Sequence, residues 1–356
     1  MATRPRARVH LDNITANWQR LSTAAEGAQA GAVVKADAYG HGAAKVGAAL
    51  ARAGCQHFFV AYPFEGEALR RHVGAGAEIY VFNGVAADDD EAIALCRRAA
   101  LLPVLNSLEQ LRAWRSSTGD APYALHIDTG MNRLGIPMGQ LGEARLLASG
   151  HGPDLVMSHL ACAEAADDPM NARQQGRFAE AAARFPGALT SLPNTAGHFL
   201  GPAYRSDVTR PGIGLYGGGT SPRQSSLAPG MTLEAPILTV NEVPTGDTVG
   251  YGATYTLDRP ALLATVAMGY GDGFLRSLTN CGIAALDGTF CPIVGRVSMD
   301  LATIDVTAAA GVAKPGALIE VIGSHVRLED QAARAGTLGY ELVTGLGARV
   351  ERHYDR

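Results

Sequence analysis

Lys35 stands between an apolar run, Ala32-Val33-Val34, and a polar turn punctuated by glycine, Ala36-Asp-Ala-Tyr-Gly-His-Gly42. The three small or β-branched residues read as a short strand of the kind a parallel sheet buries on both faces. A lysine at the C-terminal end of such a strand stands where open α/β folds and barrels carry their chemistry. It is also the one side chain that can hold an aldehyde cofactor as a Schiff base. Its plainer reading is a stem laid over apolar surface with the ammonium in water. Other apolar runs further along also end on polar groups: Asn83, Asn106, Asp128, His159, Asn194 and Arg210. Strands often end in polar turn residues, which accounts for the asparagines and Asp128. It accounts less well for His159 and Arg210.

Groups so far apart in sequence meet only if their strands are gathered into one sheet with a common C-terminal edge. Strand-like runs occur at 32–34, 58–61, 78–82, 101–105, 123–127, 155–158, 188–192 and 208–215, spaced by roughly 20 to 35 residues, the length of a βα unit. Between them, 43–52, 65–71, 89–98, 108–115, 141–148 and 173–184 read as amphipathic helices. Eight such units predict a (β/α)₈ barrel of the TIM type over residues 11–220. Ahead of it, 8–11 reads as a strand, and Asp12-Asn13 as the cap of a helix over 14–21. The Gly/Ser/Pro-rich stretch 217–230 marks a domain boundary. Beyond it the period shortens to that of strands, at 233–240, 248–256, 262–267, 282–286, 293–297, 302–306 and 318–322, with one helix at 328–335. The expectation for 221–356 is an all-β domain.

At 356 residues the chain suits two domains, and 47% hydrophobic with 18% charged residues is an ordinary globular composition. A net charge of −4 with a pI near 6.2 argues against nucleic acid as the main partner. The absence of a long apolar run argues against a membrane span, and the basic start lacks the apolar stretch of a secretory signal. Five cysteines without CxxC or zinc spacing read as free thiols in the cytoplasm, and no metal site is expected. HExxH and P-loop patterns do not occur. Gly269-Tyr-Gly-Asp-Gly273 has too few of the required spacings for a nucleotide loop.

Val33-Val-Lys-Ala-Asp-Ala-Tyr-Gly-His-Gly42 resembles the cofactor-lysine signature of alanine racemases at ten consecutive positions. Five further stretches are similar to motifs of that family, in order and suitably spaced: Asp128-Thr-Gly-Met-Asn-Arg-Leu-Gly135 with Pro193-Asn-Thr-Ala196, then Arg210-Pro-Gly-Ile-Gly-Leu-Tyr-Gly217, and Val249-Gly-Tyr-Gly-Ala-Thr-Tyr255 with Gly295-Arg-Val-Ser-Met-Asp300. The resemblance implies pyridoxal 5′-phosphate on Lys35. It places Tyr39, His159, Asn194, Thr195, the backbone N–H groups of Gly212 and Ile213, and Tyr340 around that cofactor, with Arg210 against the pyridine nitrogen. An arginine, always protonated, donates to that nitrogen and keeps it from taking a proton. Lys35 and Tyr251 are then the two bases of a racemisation between L- and D-alanine. Nearby cations, His159 and Arg210, are expected to lower the phenol's pKa from its usual value of about 10. Arg133 and the N–H of Met299 would hold the substrate carboxylate, while Tyr270 and Tyr340 narrow the entrance to suit a small amino acid. Without the resemblance, Tyr251 reads as a strand aromatic packing a β surface.

The family pattern also implies that segment 1–10 joins the β domain, and that a head-to-tail homodimer shares its sites, Tyr251 and Met299 reaching the partner's barrel. Two positions depart from it. His126 stands where many members carry a carbamylated lysine paired with the loop arginine, so Arg133 needs another means of orientation. Ser191 stands where a histidine often precedes the second motif. The rival readings are a serine or broad-specificity racemase, a decarboxylase of the same architecture (which Arg210 disfavours), and a non-catalytic protein that binds the cofactor.

Overall fold

The computed structural model describes residues 4–219 and 226–355, so the expected domain boundary at 220/221 lies outside the described residues. Seven parallel strands lie side by side in the order Ala32–Val33, His57–Val60, Glu78–Val81, Leu101–Leu105, Ala124–Asp128, Leu155–Met157 and Leu189–Ser191. Their residues are almost all buried, as a two-sided parallel sheet requires. The eighth, Val208–Thr209, pairs with Gln29–Ala30, which precedes the first strand across Gly31. On its other side the Ser191 hydroxyl donates to Val208 O at 2.6 Å, and Arg210 N donates to Pro193 O at 2.9 Å. The sheet therefore curls round to a barrel. The six predicted helices are present, and Ala43–Arg52 agrees to the residue.

Local expectations are corrected in several places. The eighth strand ends at Thr209, because Pro211 has no N–H for a ladder, and Ile213–Tyr216 coils into a 3₁₀ turn instead. The first helix spans Leu11–Ala24 and begins directly after the strand Arg6–His10, so Asp12 lies in its first turn. Asn13 does not cap it; its amide donates to Pro229 O at 2.9 Å. In the second domain 248–256 is broken into Thr248–Val249 and Tyr255–Thr256. Gly250, Gly252 and Ala253, at φ of 71°, 73° and 48°, turn the chain between them. Tyr251 thus projects from a turn rather than lying on a strand.

That domain is otherwise a sheet. Arg6–His10 pairs antiparallel with Met231–Val243 and parallel with Glu351–Asp355, joining the chain's start to the β domain. Ile283–Leu286 and Thr289–Pro292 form a hairpin across Asp287 and Gly288, both at positive φ as a tight two-residue turn demands. This hairpin displaces the strand expected at 293–297, where only Ile293 bridges to Ile304. Leu318–Ile322 and the helix Leu328–Ala335 agree to the residue, and a second helix, Gly339–Thr344, follows. No helix among the described residues is long and apolar enough to cross a membrane.

Directly after Lys35 the backbone does something unusual. Ala36, Asp37, Ala38 and Tyr39 all have φ between 50° and 54°, a complete turn of left-handed helix without a glycine. At about 1–2 kcal/mol per residue, such a turn persists only where its surroundings enforce it. Asp37 Oδ1 accepts from Ala43 N at 2.7 Å at one end. Gly40 (φ 76°) follows, packed so closely that a Cβ there would lie 2.1 Å from Val343 O. Arg352 Nε donates to Gly40 O at 2.8 Å. Gly40→Ala would add both a strained φ and a backbone clash. It should destabilise the protein by about 2–5 kcal/mol, read from the urea midpoint.

Candidate active site

A cavity of about 990 Å³ opens at the C-terminal ends of the barrel strands. Ten of the thirteen residues given a site role from sequence line it, Lys35, Tyr39, Arg133, His159, Asn194, Thr195, Arg210, Gly212, Ile213 and Tyr340, together with Asn83 and His126. The other three do not. Tyr251, Tyr270 and Met299 lie outside it on the second domain, exposed to 73%, 43% and 56%.

Lys35 reaches the cavity because its strand ends two residues earlier, at Val33. Its pKa is lowered by burial and by the Arg133 guanidinium, against an opposing pull from Glu65. Its ammonium nitrogen is 5.7 Å from the centre of the Phe82 ring. More of the amine is therefore neutral, and nucleophilic, than for a lysine in water.

Arg210 is buried, 2% exposed, and its guanidinium is fixed on one side. One terminal nitrogen donates to Ser191 Oγ at 2.5 Å, the other to Ser158 O at 2.5 Å and Leu192 O at 3.3 Å. Ser191, noted in the sequence as a departure from the motif, thus fixes Arg210 directly. Burial pulls the guanidinium pKa down to about 9, which leaves it charged at neutral pH. Its Nε–H has no partner among the described residues.

His159 was expected as a cation. Burial and the neighbouring Arg210 and Arg133 hold its pKa well below 6.5, so it is neutral, with Nδ1 3.4 Å from Arg210. His126 is held at about 4 by burial and by Arg210. Its Nδ1 faces Asn106 Oδ1 at 2.8 Å, and the Asn106 amide is oriented by donating to Phe82 O and Val104 O. Nδ1 must then carry the proton, leaving Nε2 as an acceptor. Burial likewise lowers His41 and His198 to about 4. A histidine depressed in the folded state contributes stability that is full above its unfolded pKa and is lost as pH falls through and below it. With four such groups, stability should drop steeply from pH 6.5 toward 4. Urea midpoints measured across that window check the slope, which His126→Asn should reduce.

The arginine loop is shaped by Asp128, whose Oδ1 accepts from Gly130 N at 2.9 Å and Asn132 N at 3.1 Å. It presents Arg133 with no hydrogen bond or ion pair to another described residue, a free fork at the cavity. Across the cavity, Thr195 Oγ1 accepts from Gly212 N at 2.9 Å and Gly214 N at 3.3 Å. The Gly212 N–H, expected to face a ligand, is therefore spent on Thr195. What Gly212 contributes is room, since a Cβ there would lie 2.6 Å from the Tyr39 hydroxyl. The Ile213 N–H, the Thr195 hydroxyl and the Tyr39 hydroxyl remain as donors, which suits an anion. Tyr39 stacks on Tyr216 at 5.0 Å and faces Tyr340 at 5.9 Å between ring centres.

Several residues at the site escaped the sequence reading. Phe82, Glu164 and Glu329 line the cavity; Glu329 accepts from Gly219 N at 2.8 Å and Gly339 N at 3.3 Å. Glu65 accepts from Ala36 N, beside Lys35. A signal for Glu65 existed. Pro63 followed two residues later by Glu opens a helix, and a carboxylate there seeks backbone N–H groups.

Comparison with known proteins bears on the whole chain. Residues 9–220 match the family model "Alanine racemase, N-terminal domain" and 230–354 match "Alanine racemase, C-terminal domain". An alanine racemase of Cereibacter sphaeroides is 45% identical over 347 residues, 97% of either chain. One of Acidiphilium cryptum is 46% identical over 348 residues, 95% of either chain. The crystal structure of alanine racemase from Bartonella henselae with covalently bound pyridoxal phosphate superposes with a TM-score of 0.92 at 32% identity, covering 99% of this chain and 100% of that one. The biosynthetic alanine racemase of Pseudomonas aeruginosa gives 0.92 at 34% identity, with both chains fully covered.

Proposed function

Since the chain belongs to the alanine racemase family, we propose how its own residues interconvert L- and D-alanine with pyridoxal phosphate. The cavity fits that cofactor. The observation that carries the reading is the buried, unpartnered Nε–H of Arg210, in the same cavity as the Lys35 amine. A group with a ring nitrogen to accept that N–H, an aldehyde for the amine and a phosphate for the Ile213, Thr195 and Tyr39 donors answers all three. Bound there, the cofactor withdraws electrons from the amino acid attached to it and so acidifies its α-hydrogen.

The protein's share is positioning and proton transfer. Arg210 donates Nε–H to the ring nitrogen and, being a cation, opposes its protonation, which restrains side reactions that a stronger electron sink would favour. Lys35 serves as covalent anchor and as base toward D-alanine, its amine kept available by burial beside Arg133. Arg133 holds the substrate carboxylate with its free fork. Tyr251 serves the opposite face, toward L-alanine. Because Tyr251, Tyr270 and Met299 lie outside the cavity of their own chain, they complete the cavity of a second copy in a homodimer, as the sharing of sites requires. Neutral His159 acts through Arg210 rather than as a cation beside the phenol. Five cysteines without disulfides favour a reducing compartment, the cytoplasm.

Chiral chromatography of several L-amino acids incubated with the purified protein tests the substrate. Alanine should racemise fastest; serine outpacing it would favour the rival substrate assignment. The holoenzyme should be yellow, and borohydride should fix the cofactor to Lys35. A label on Lys45 or Lys314 would overturn the site.

A further inference from the structure

The left-handed turn leaves a backbone donor without an intrinsic partner. Ala36 N–H, one residue past Lys35, has left the strand ladder and finds no carbonyl. Glu65 Oε1 accepts it at 2.7 Å. The other carboxylate oxygen accepts from Ala61 N at 2.7 Å and Tyr62 N at 3.1 Å, in the loop after the neighbouring strand. One side chain thus ties the turn bearing Lys35 to the next strand end through three backbone donors. Charge-assisted hydrogen bonds of this kind are short and strong. The same carboxylate faces the lysine as its negative neighbour, against positive Arg133 on the arginine loop. Neutral His159 interacts electrostatically with Lys35 from across the barrel, and the other titratable groups lining the cavity with it are Tyr39, His126, Glu164, Arg210, Glu329 and Tyr340.

We propose that Glu65 is a positioning residue for the reaction, fixing where the Lys35 amine stands and acting as the counter-charge that sets how readily it holds a proton. The inference rests on the reading that Lys35 is the base toward D-alanine. A residue that merely capped its helix would affect stability and leave the proton affinity of Lys35 alone.

Three holoenzyme variants separate these roles. Glu65→Gln keeps the size but removes the charge and turns a donor toward backbone N–H groups. Without that charge the ammonium is less favoured, so the acid limb of kcat for D-alanine, which reports the substrate-bound enzyme, should move to lower pH by about half a unit or more. The rate at the optimum should fall by about tenfold or more. Glu65→Asp keeps the charge but shortens the reach. Its limb should stay in place while the rate falls, with Glu65→Ala showing both defects. A folded Glu65→Gln enzyme with an unmoved limb would overturn the proposal. If that variant does not fold, Glu65→Asp decides: a lower melting temperature at the wild-type rate would also overturn it. Borohydride mapping of the wild type keeps the two claims distinct. A label off Lys35 removes the underlying reading; a label on Lys35 with unmoved limbs removes only the role of Glu65.

Discussion

Replacing Lys35 with alanine should lower racemisation by more than about 10⁴-fold, the upper end of what one positioned acid–base group contributes, because the same side chain is also the covalent anchor. The fold should survive, since the lysine is only partly buried and its side chain makes no hydrogen bond to a described residue. Pyridoxal phosphate should still enter, held by Arg210 and the Ile213, Thr195 and Tyr39 donors, but it should wash out on dialysis. Borohydride should then leave no label on the chain. Activity above about 1% of wild type, measured by chiral chromatography after dialysis, would mean that another amine does the work.

Tyr251→Phe should cost about 10² to 10⁴ in rate while sparing fold and cofactor binding, since the lost hydroxyl stands on an exposed turn. Exchange of the α-hydrogen with deuterated water should fail chiefly from L-alanine, while exchange from D-alanine through Lys35 persists. Equal loss from both enantiomers would rule out one base per face. The same variant tests the shared site. Mixed with Lys35→Ala under conditions shown to exchange subunits, it should recover part of the activity, because each heterodimer would hold one cavity with both groups intact. No recovery would place Tyr251 and Lys35 in separate chemistry.

Much of this arrangement is readable in the amino-acid order because the barrel's parts are locally determined. Runs such as Leu101–Leu105 are apolar and short, and the helix Ala43–Arg52 carries a clean amphipathic period, so each announces itself. The lysine proposed as catalytic is legible for the same reason, standing at the edge of a β-branched run. The rest depends on contacts distant in sequence. Nothing in Ala36-Asp-Ala-Tyr39 favours left-handed backbone; Glu65, Val343 and Arg352 impose it. Tyr251 resembles a strand residue in composition, and only the positive φ of Gly250 and Gly252 moves it into a turn. Gly339–Thr344 is six residues, too short for a helical period to stand out. The neutrality of His159 follows from burial beside Arg210, a neighbour 51 residues away.

The left-handed turn also fixes the order in which the enzyme can become competent during its synthesis. Arg352, which holds Gly40, follows it by 312 residues. At about 5–20 residues per second, a ribosome needs roughly 15–60 s to cover that distance. Throughout that interval the barrel strands can pair, but the backbone after Lys35 has only its contacts with Glu65 and Ala43 and lacks those with Val343 and Arg352 that complete its restraint against relaxing to right-handed geometry. A nascent chain arrested before the helix Gly339–Thr344 would thus hold its cofactor loosely, if the aldehyde reached it at all. The reactive lysine becomes a defined site only when the chain's last strand closes on it, and the newborn polypeptide passes through translation with its chemistry disarmed.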